Sequence, residues 1–274
     1  MSHSTILPSI VTMPAAQPVS EASGAFVTPR RVLMGVIAGA WITAVVAEVT
    51  GTGSLLHHHA LIENGPPLWV ALALFLVAWQ VMIAAMMLPA SLPAIRVFAT
   101  TSHIQRRLGP AMVVFLAAYA VLWTLFGQLA FMGDVVLHSV VDATPWLGSR
   151  PWLIEAGILA LAGAYQFAPN KRRGLAACRH PLGPATTVPV PGLGAFQLGL
   201  AHGFACLASS WALMLLMFAA GFANLWWMIV LTGVMVYETT GRYGQRAASA
   251  AGIVLVFLAL VVAVSGWQAV FGAA

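Results

Sequence analysis

FQLGLAHGFACLASSWALMLLMF, residues 196–218, is a stretch of 23 residues with no formally charged side chain. A helix of this length spans the hydrocarbon core of a bilayer, which takes about 20 residues. The same stretch contains His202 and Cys206, four residues apart and therefore on one helix face. An imidazole and a thiol are costly in an apolar segment, and polar groups in such a place mark a functional site by default. Ser209 lies about 20° from His202 on the wheel and Met217 about 60°, with Ser210 near the edge of the same stripe. The serines also have a plain use, since Ser and Thr in apolar helices bond back to their own helix carbonyls.

The rest of the chain repeats the apolar pattern. Of 274 residues, 61% are hydrophobic and 7% charged, against about 25% charged in a soluble domain. Residues 1–29 are rich in Ser, Pro, Ala and Thr and read as a disordered cytoplasmic tail. Residues 30–274 read as one integral membrane helical domain. Apolar segments are expected at Val32–Val49, Leu68–Leu88, Pro110–Met132, Trp152–Phe167, Phe196–Phe218, Leu225–Glu238 and Ala247–Phe271. The first follows Arg30 and Arg31 and is read as a retained anchor, with a signal peptide as the alternative. Pro89 and Pro93 are expected to end the second helix. Asn224 lies in a brief connection that suits a tight helical hairpin.

Basic residues orient these segments. With the tail inside, Arg30, Arg31, Arg96, Arg106, Arg107, Lys171, Arg172, Arg173, Arg179, Arg242 and Arg246 fall on the cytoplasmic side, leaving only Arg150 of the 12 basic residues outside. The fold class is therefore an all-α polytopic membrane bundle of about seven helices, N-terminus in and C-terminus out, in the inner membrane. The basic surplus is topogenic, so no nucleic-acid partner is expected. With only two cysteines, Cys178 in a loop and Cys206 in a helix, no disulfide framework is expected.

Soft ligands recur on the second helix, where AWQVMIAAMMLPASLP occupies 78–93. Trp79, Met82 and Met86 fall within about 60° of one another, and thioethers favour Cu(I), although a methionine stripe also serves as ordinary core. At 1.5 Å per residue, Met82 and His202 both fall roughly 6–8 Å to the cytoplasmic side of the midplane. His57, His58 and His59, near Glu48 and Glu63, are a candidate low-affinity capture site on the outer face, or a solvated loop. Glu155 and Glu238 are near segment ends, where a carboxylate reaches headgroup water. Gly199 with Gly203, and Gly35 with Gly39, have the spacing that lets helices approach closely. No P-loop, dinucleotide fingerprint or H-E-x-x-H occurs, and no recognisable catalytic set points to an enzyme.

Three blocks make the chain resemble a bacterial family of predicted metal-binding integral membrane proteins, some of them labelled copper-chaperone-like. They are AWQVMIAAMMLPASLP at 78–93, AGAYQFAPNKRRGLAACRHPLG at 162–183 and LGLAHGFACLASSWALMLLMFAAGFANLWWMIVLTGVMVYE at 198–238, within a family-like region of about 68–240. The resemblance implies metal handling, most of all of copper, with Cys206, His202, Met82, Met86 and Cys178 as the candidate ligands. Cys178 would be a cytoplasmic acceptor. It also implies partners beyond the lipid bilayer: a metal-donor or acceptor protein, or a membrane complex. Members commonly carry a cysteine pair where this chain has Ser209 and Ser210, and a further cysteine where it has Gly174. A hydroxyl is a far weaker ligand for a soft metal. The reading that this loss of thiols favours is a small-solute permease or an accessory subunit of a membrane complex.

Overall fold

The computed structural model describes residues 27–52, 67–100, 108–179, 191–220 and 224–271. Within them the chain is helical: α1 Val27–Val49, α2 Leu68–Thr100, α3 Leu108–Ala143, the single turn α4 Pro145–Gly148, α5 Pro151–Tyr165, α6 Pro169–Arg179, α7 Pro191–Ala220, α8 Leu225–Thr240 and α9 Gly244–Phe271. Five of these, α1, α2, α3, α7 and α9, are long and apolar enough to cross a membrane. The other two expected spans, α5 and α8, are apolar but have only 15 and 16 residues. The expected His57–His59 site, Glu63, Arg106 and Arg107 lie outside the described residues.

α7 is the axis of the bundle. It packs along α3 and α6 and also touches α5 and α8, while α5 pairs with α9 and α1 lies along α2. Gly199 and Gly203 explain the α3 contact: a Cβ at Gly199 would overlap the Phe115 carbonyl, and one at Gly203 would press on Leu122. Gly35 and Gly39 have nothing within 4 Å of a notional Cβ, so that pair brings no helix close among the described residues. Further along the bundle, Trp79 donates to the Trp123 carbonyl at 2.8 Å and lies over Gly127, within an aromatic cluster with Phe75, Phe126 and Phe131. The outward faces are apolar as well. Ile253, Phe257 and Leu260 of α9 are each more than half exposed, a distribution that suits lipid better than water.

Three expectations are corrected here. Pro89 and Pro93 do not end the second helix; α2 runs through both to Thr100. Proline is tolerated where neighbouring helices satisfy the freed backbone groups. The basic segment around Cys178 is not a loop but the polar helix α6, which packs on α7. Finally, Lys171 and Glu238 do not reach water. They form an ion pair of 2.6 Å, with side chains only 1% and 2% exposed. Arg179 caps the same α8 terminus, donating to the carbonyls of Glu238 and Gly241. Asn224 opens α8 as its N-cap, accepting from the Trp227 amide at 3.2 Å.

Candidate metal centre

The site begins on α7, where His202, Cys206, Ser209 and Ser210 are all buried. Both serine hydroxyls donate to the Cys206 carbonyl, at 2.8 and 2.7 Å. This is the local back-bonding expected of serines in apolar helices. It also turns each hydroxyl oxygen toward a sulfur on another helix. Ser209 Oγ lies 3.8 Å from Cys178 Sγ, and Ser210 Oγ 3.7 Å from Met87 Sδ.

α6 supplies the second thiol. Lys171, Gly174, Leu175 and Cys178 are its buried positions, three or four residues apart on one face. At Gly174 a Cβ would meet Ala205 O and Ser209 N at 2.9 Å, both backbone atoms. Only glycine permits this approach, and the approach seats Cys178 one turn later against α7. There Ser209, which bonds back to the Cys206 carbonyl, lies between the two thiols, and both are free. The neighbouring Cys206 thiol, together with burial, pushes the Cys178 thiol well above the ordinary cysteine range, while Ser209 and Lys171 pull the other way.

α2 supplies the third sulfur. Met87 Sδ lies 4.0 Å from Cys206 Sγ, and Ser91, one turn on, donates to the Tyr119 hydroxyl at 3.2 Å. That hydroxyl lies 3.2 Å from Cys206 Sγ. Tyr119 stacks on His202 with ring centroids 5.6 Å apart, and Phe115 does the same at 5.9 Å. Among the described residues neither ring nitrogen of His202 finds a hydrogen-bond partner.

The structure therefore brings Cys178 and Cys206 together and places His202 one helical turn away on the same face. Met82 and Met86 are buried on α2, but the thioether at the thiols is that of Met87. The expected register placed Met82 level with His202. The observed register places Met87 opposite Cys206, and Ser91 near His202 through Tyr119. This is a shift of nine residues, roughly 13 Å along the helices. A second helix that ends before Pro89 has its midpoint nearer the N-terminus than α2, which runs on to Thr100. Met87, Ser91 and Tyr119 were missed. A polar Ser91 between two prolines, one turn from Met87, was the available signal.

No group of three or more His, Cys, Asp or Glu side chains converges among the described residues. The donor set is two thiols and a thioether, with hydroxyls of Ser209, Ser210 and Tyr119 around them. Sulfur donors of this kind favour soft, low-coordinate ions over oxygen-seeking ones. No curated protein and no solved structure matches the chain. A sequence model of the PpoB2 family, described as copper chaperone, matches residues 76–262, a stretch that holds α6, α7, α8 and most of α2, and with them every residue of the sulfur site. The chain belongs to the PpoB2 copper chaperone family.

Proposed function

We propose that this protein is a multi-pass protein of the bacterial inner membrane that carries copper as cargo, holding Cu(I) between Cys178 Sγ, Cys206 Sγ and Met87 Sδ. The observation that carries this reading is the convergence of three sulfurs from three helices in a buried place. Family membership supports copper over other soft ions. Two thiolates and a thioether match Cu(I), and the ion replaces the thiol protons on loading, because thiolate is the ligand. His202, with both ring nitrogens unbonded, is a reserve donor one turn away on α7. Met82 and Met86 line α2 beyond the thiols and are not part of this set.

The role is binding and transfer, not catalysis. α6 is the only polar helix of the bundle among those described, and Arg172, Arg173, Ala176 and Ala177 face outward from it. A donor or acceptor protein would thus reach Cys178 by displacing one short helix. Competition for Cu(I) against a chromogenic chelator, with detergent-solubilised protein under anaerobic reducing conditions, tests the reading. Stoichiometric retention by the wild type and loss in a Cys178→Ser, Cys206→Ser double variant is the expected result. Negligible copper in both proteins would sink it.

A further inference from the structure

We infer that the outer flank of α6 forms a binding site for an anionic phospholipid, with its phosphate on Arg173. The site is a groove of about 420 Å³ formed by α3, α5, α6 and α7. Its polar rim is Asn170 and Arg173, its aromatic wall includes Tyr165 and Trp211, and its apolar floor includes Phe204 and Leu207. Phe204 is 57% exposed, so the floor opens sideways, out of the bundle.

Charge decides the occupant. α6 carries four basic residues, Lys171, Arg172, Arg173 and Arg179. Lys171 is neutralised by Glu238, and Arg179 is committed to the α8 carbonyls. Arg172 and Arg173 remain exposed, and of the two only Arg173 lines the groove. A guanidinium beside an amide, above an aromatic and apolar floor, matches a phosphodiester headgroup with acyl chains beneath it. Tyr165 and Trp211 form the wall between the two. Their rings meet edge to face at 4.8 Å, and the Tyr165 hydroxyl donates to the Ala208 carbonyl at 2.6 Å, so the wall is held in place before any lipid arrives. Gly174 also borders the groove, so a lipid seated there lies beside the close α6–α7 contact. The groove is separate from the thiols and does not depend on metal there.

Native mass spectrometry of the detergent-solubilised full chain, titrated with dioleoyl phosphatidylglycerol, tests it. The expected result is a retained lipid adduct, bound about tenfold more weakly by Arg173→Gln, the loss of one charged hydrogen-bonding partner. Arg172→Gln, on the same helix but off the groove, is expected to bind as the wild type does. Equal loss in both variants, or none in Arg173→Gln, would overturn the site. Equal retention of dioleoyl phosphatidylcholine would show an apolar groove without headgroup selection and overturn it too. Displacement of the lipid by millimolar inorganic phosphate would assign Arg173 to free phosphate instead.

Discussion

Ser209 Oγ on α7 lies 3.8 Å from Cys178 Sγ on α6, while the same hydroxyl donates to the Cys206 carbonyl. One serine thus stands between the two cysteines of a chain that has only two. The contact depends on how closely α6 approaches α7, and that approach depends on Gly174. A Cβ there would come within 2.9 Å of Ala205 O and Ser209 N. Gly174→Ala is expected to destabilise the protein by about 1–3 kcal/mol, the usual cost of overpacking a tight contact, and to weaken Cu(I) binding by moving Cys178 away from Cys206. Thermal unfolding in detergent together with Cu(I) competition checks both effects. Unchanged stability and affinity would show that the α6–α7 contact does not position the thiols.

Met87 separates a ligand role from a packing role. It is fully buried, so truncation would open a cavity and confuse the two. Met87→Leu nearly conserves volume and costs less than about 1.5 kcal/mol of stability, yet it removes the thioether. The expected outcome is near-native thermal stability with Cu(I) affinity lower by about tenfold, equivalent to ~1.4 kcal/mol. Met82→Leu and Met86→Leu are expected to leave affinity unchanged. An equal effect of all three would assign the methionines to the core.

The buried Lys171–Glu238 pair joins α6 to α8. Removing one partner strands a buried charge, a loss of about 3–5 kcal/mol, whereas replacing both by apolar groups is often neutral. Lys171→Met is therefore expected to be strongly destabilising, and Lys171→Met with Glu238→Leu to recover most of the loss. A double-mutant cycle by chemical or thermal unfolding measures this. Additive losses in the double variant would show that the pair does not act as a unit.

The sequence made the helices legible because apolar length is a local property. It also placed His202 and Cys206 on one face, because helical geometry alone requires it. The rest depended on tertiary context. Pro89 and Pro93 stop a helix in water, but α2 continues through them because packing replaces what they remove. Lys171, Arg172 and Arg173 look like a solvated loop in sequence. In the fold they divide, Lys171 inward to Glu238 and the arginines outward. With α6 unseen, Cys178 had no route to Cys206. With α2 running past Pro89, the thioether at the thiols is that of Met87, next to the expected Met86.

Cys178 sets a pH dependence. The adjacent Cys206 thiol and burial raise its pKa well above the ordinary range, so near neutrality it holds its proton. A thiol raised in the fold stabilises the protein fully below its unfolded pKa of about 8.5, and that contribution is lost as pH rises through the higher folded value. In the proposed site, Cu(I) competes with the same proton. Cu(I) affinity is therefore expected to rise between about pH 6 and pH 8, by roughly tenfold per unit for each proton released. Chelator competition across this range measures the slope, and a flat profile would mean that no thiol deprotonates on binding.

The two serines give a gain-of-function test. Ser209 Oγ faces Cys178 Sγ, and Ser210 Oγ lies 3.7 Å from Met87 Sδ. A thiol at either position would project among the existing sulfurs, since Cys and Ser differ by one atom and share a rotamer set. Each hydroxyl now back-bonds to the Cys206 carbonyl, so the substitution gives up a modest hydrogen bond, about 1 kcal/mol. In return it adds a ligand class that soft metals prefer to oxygen. Ser209→Cys and Ser210→Cys are each expected to raise Cu(I) affinity by at least about tenfold, or ~1.4 kcal/mol, and the pair together to raise copper content further under strong chelator. If both thiols were introduced without any increase, while Cys178→Ser also left copper unchanged, copper would have to bind elsewhere in the molecule.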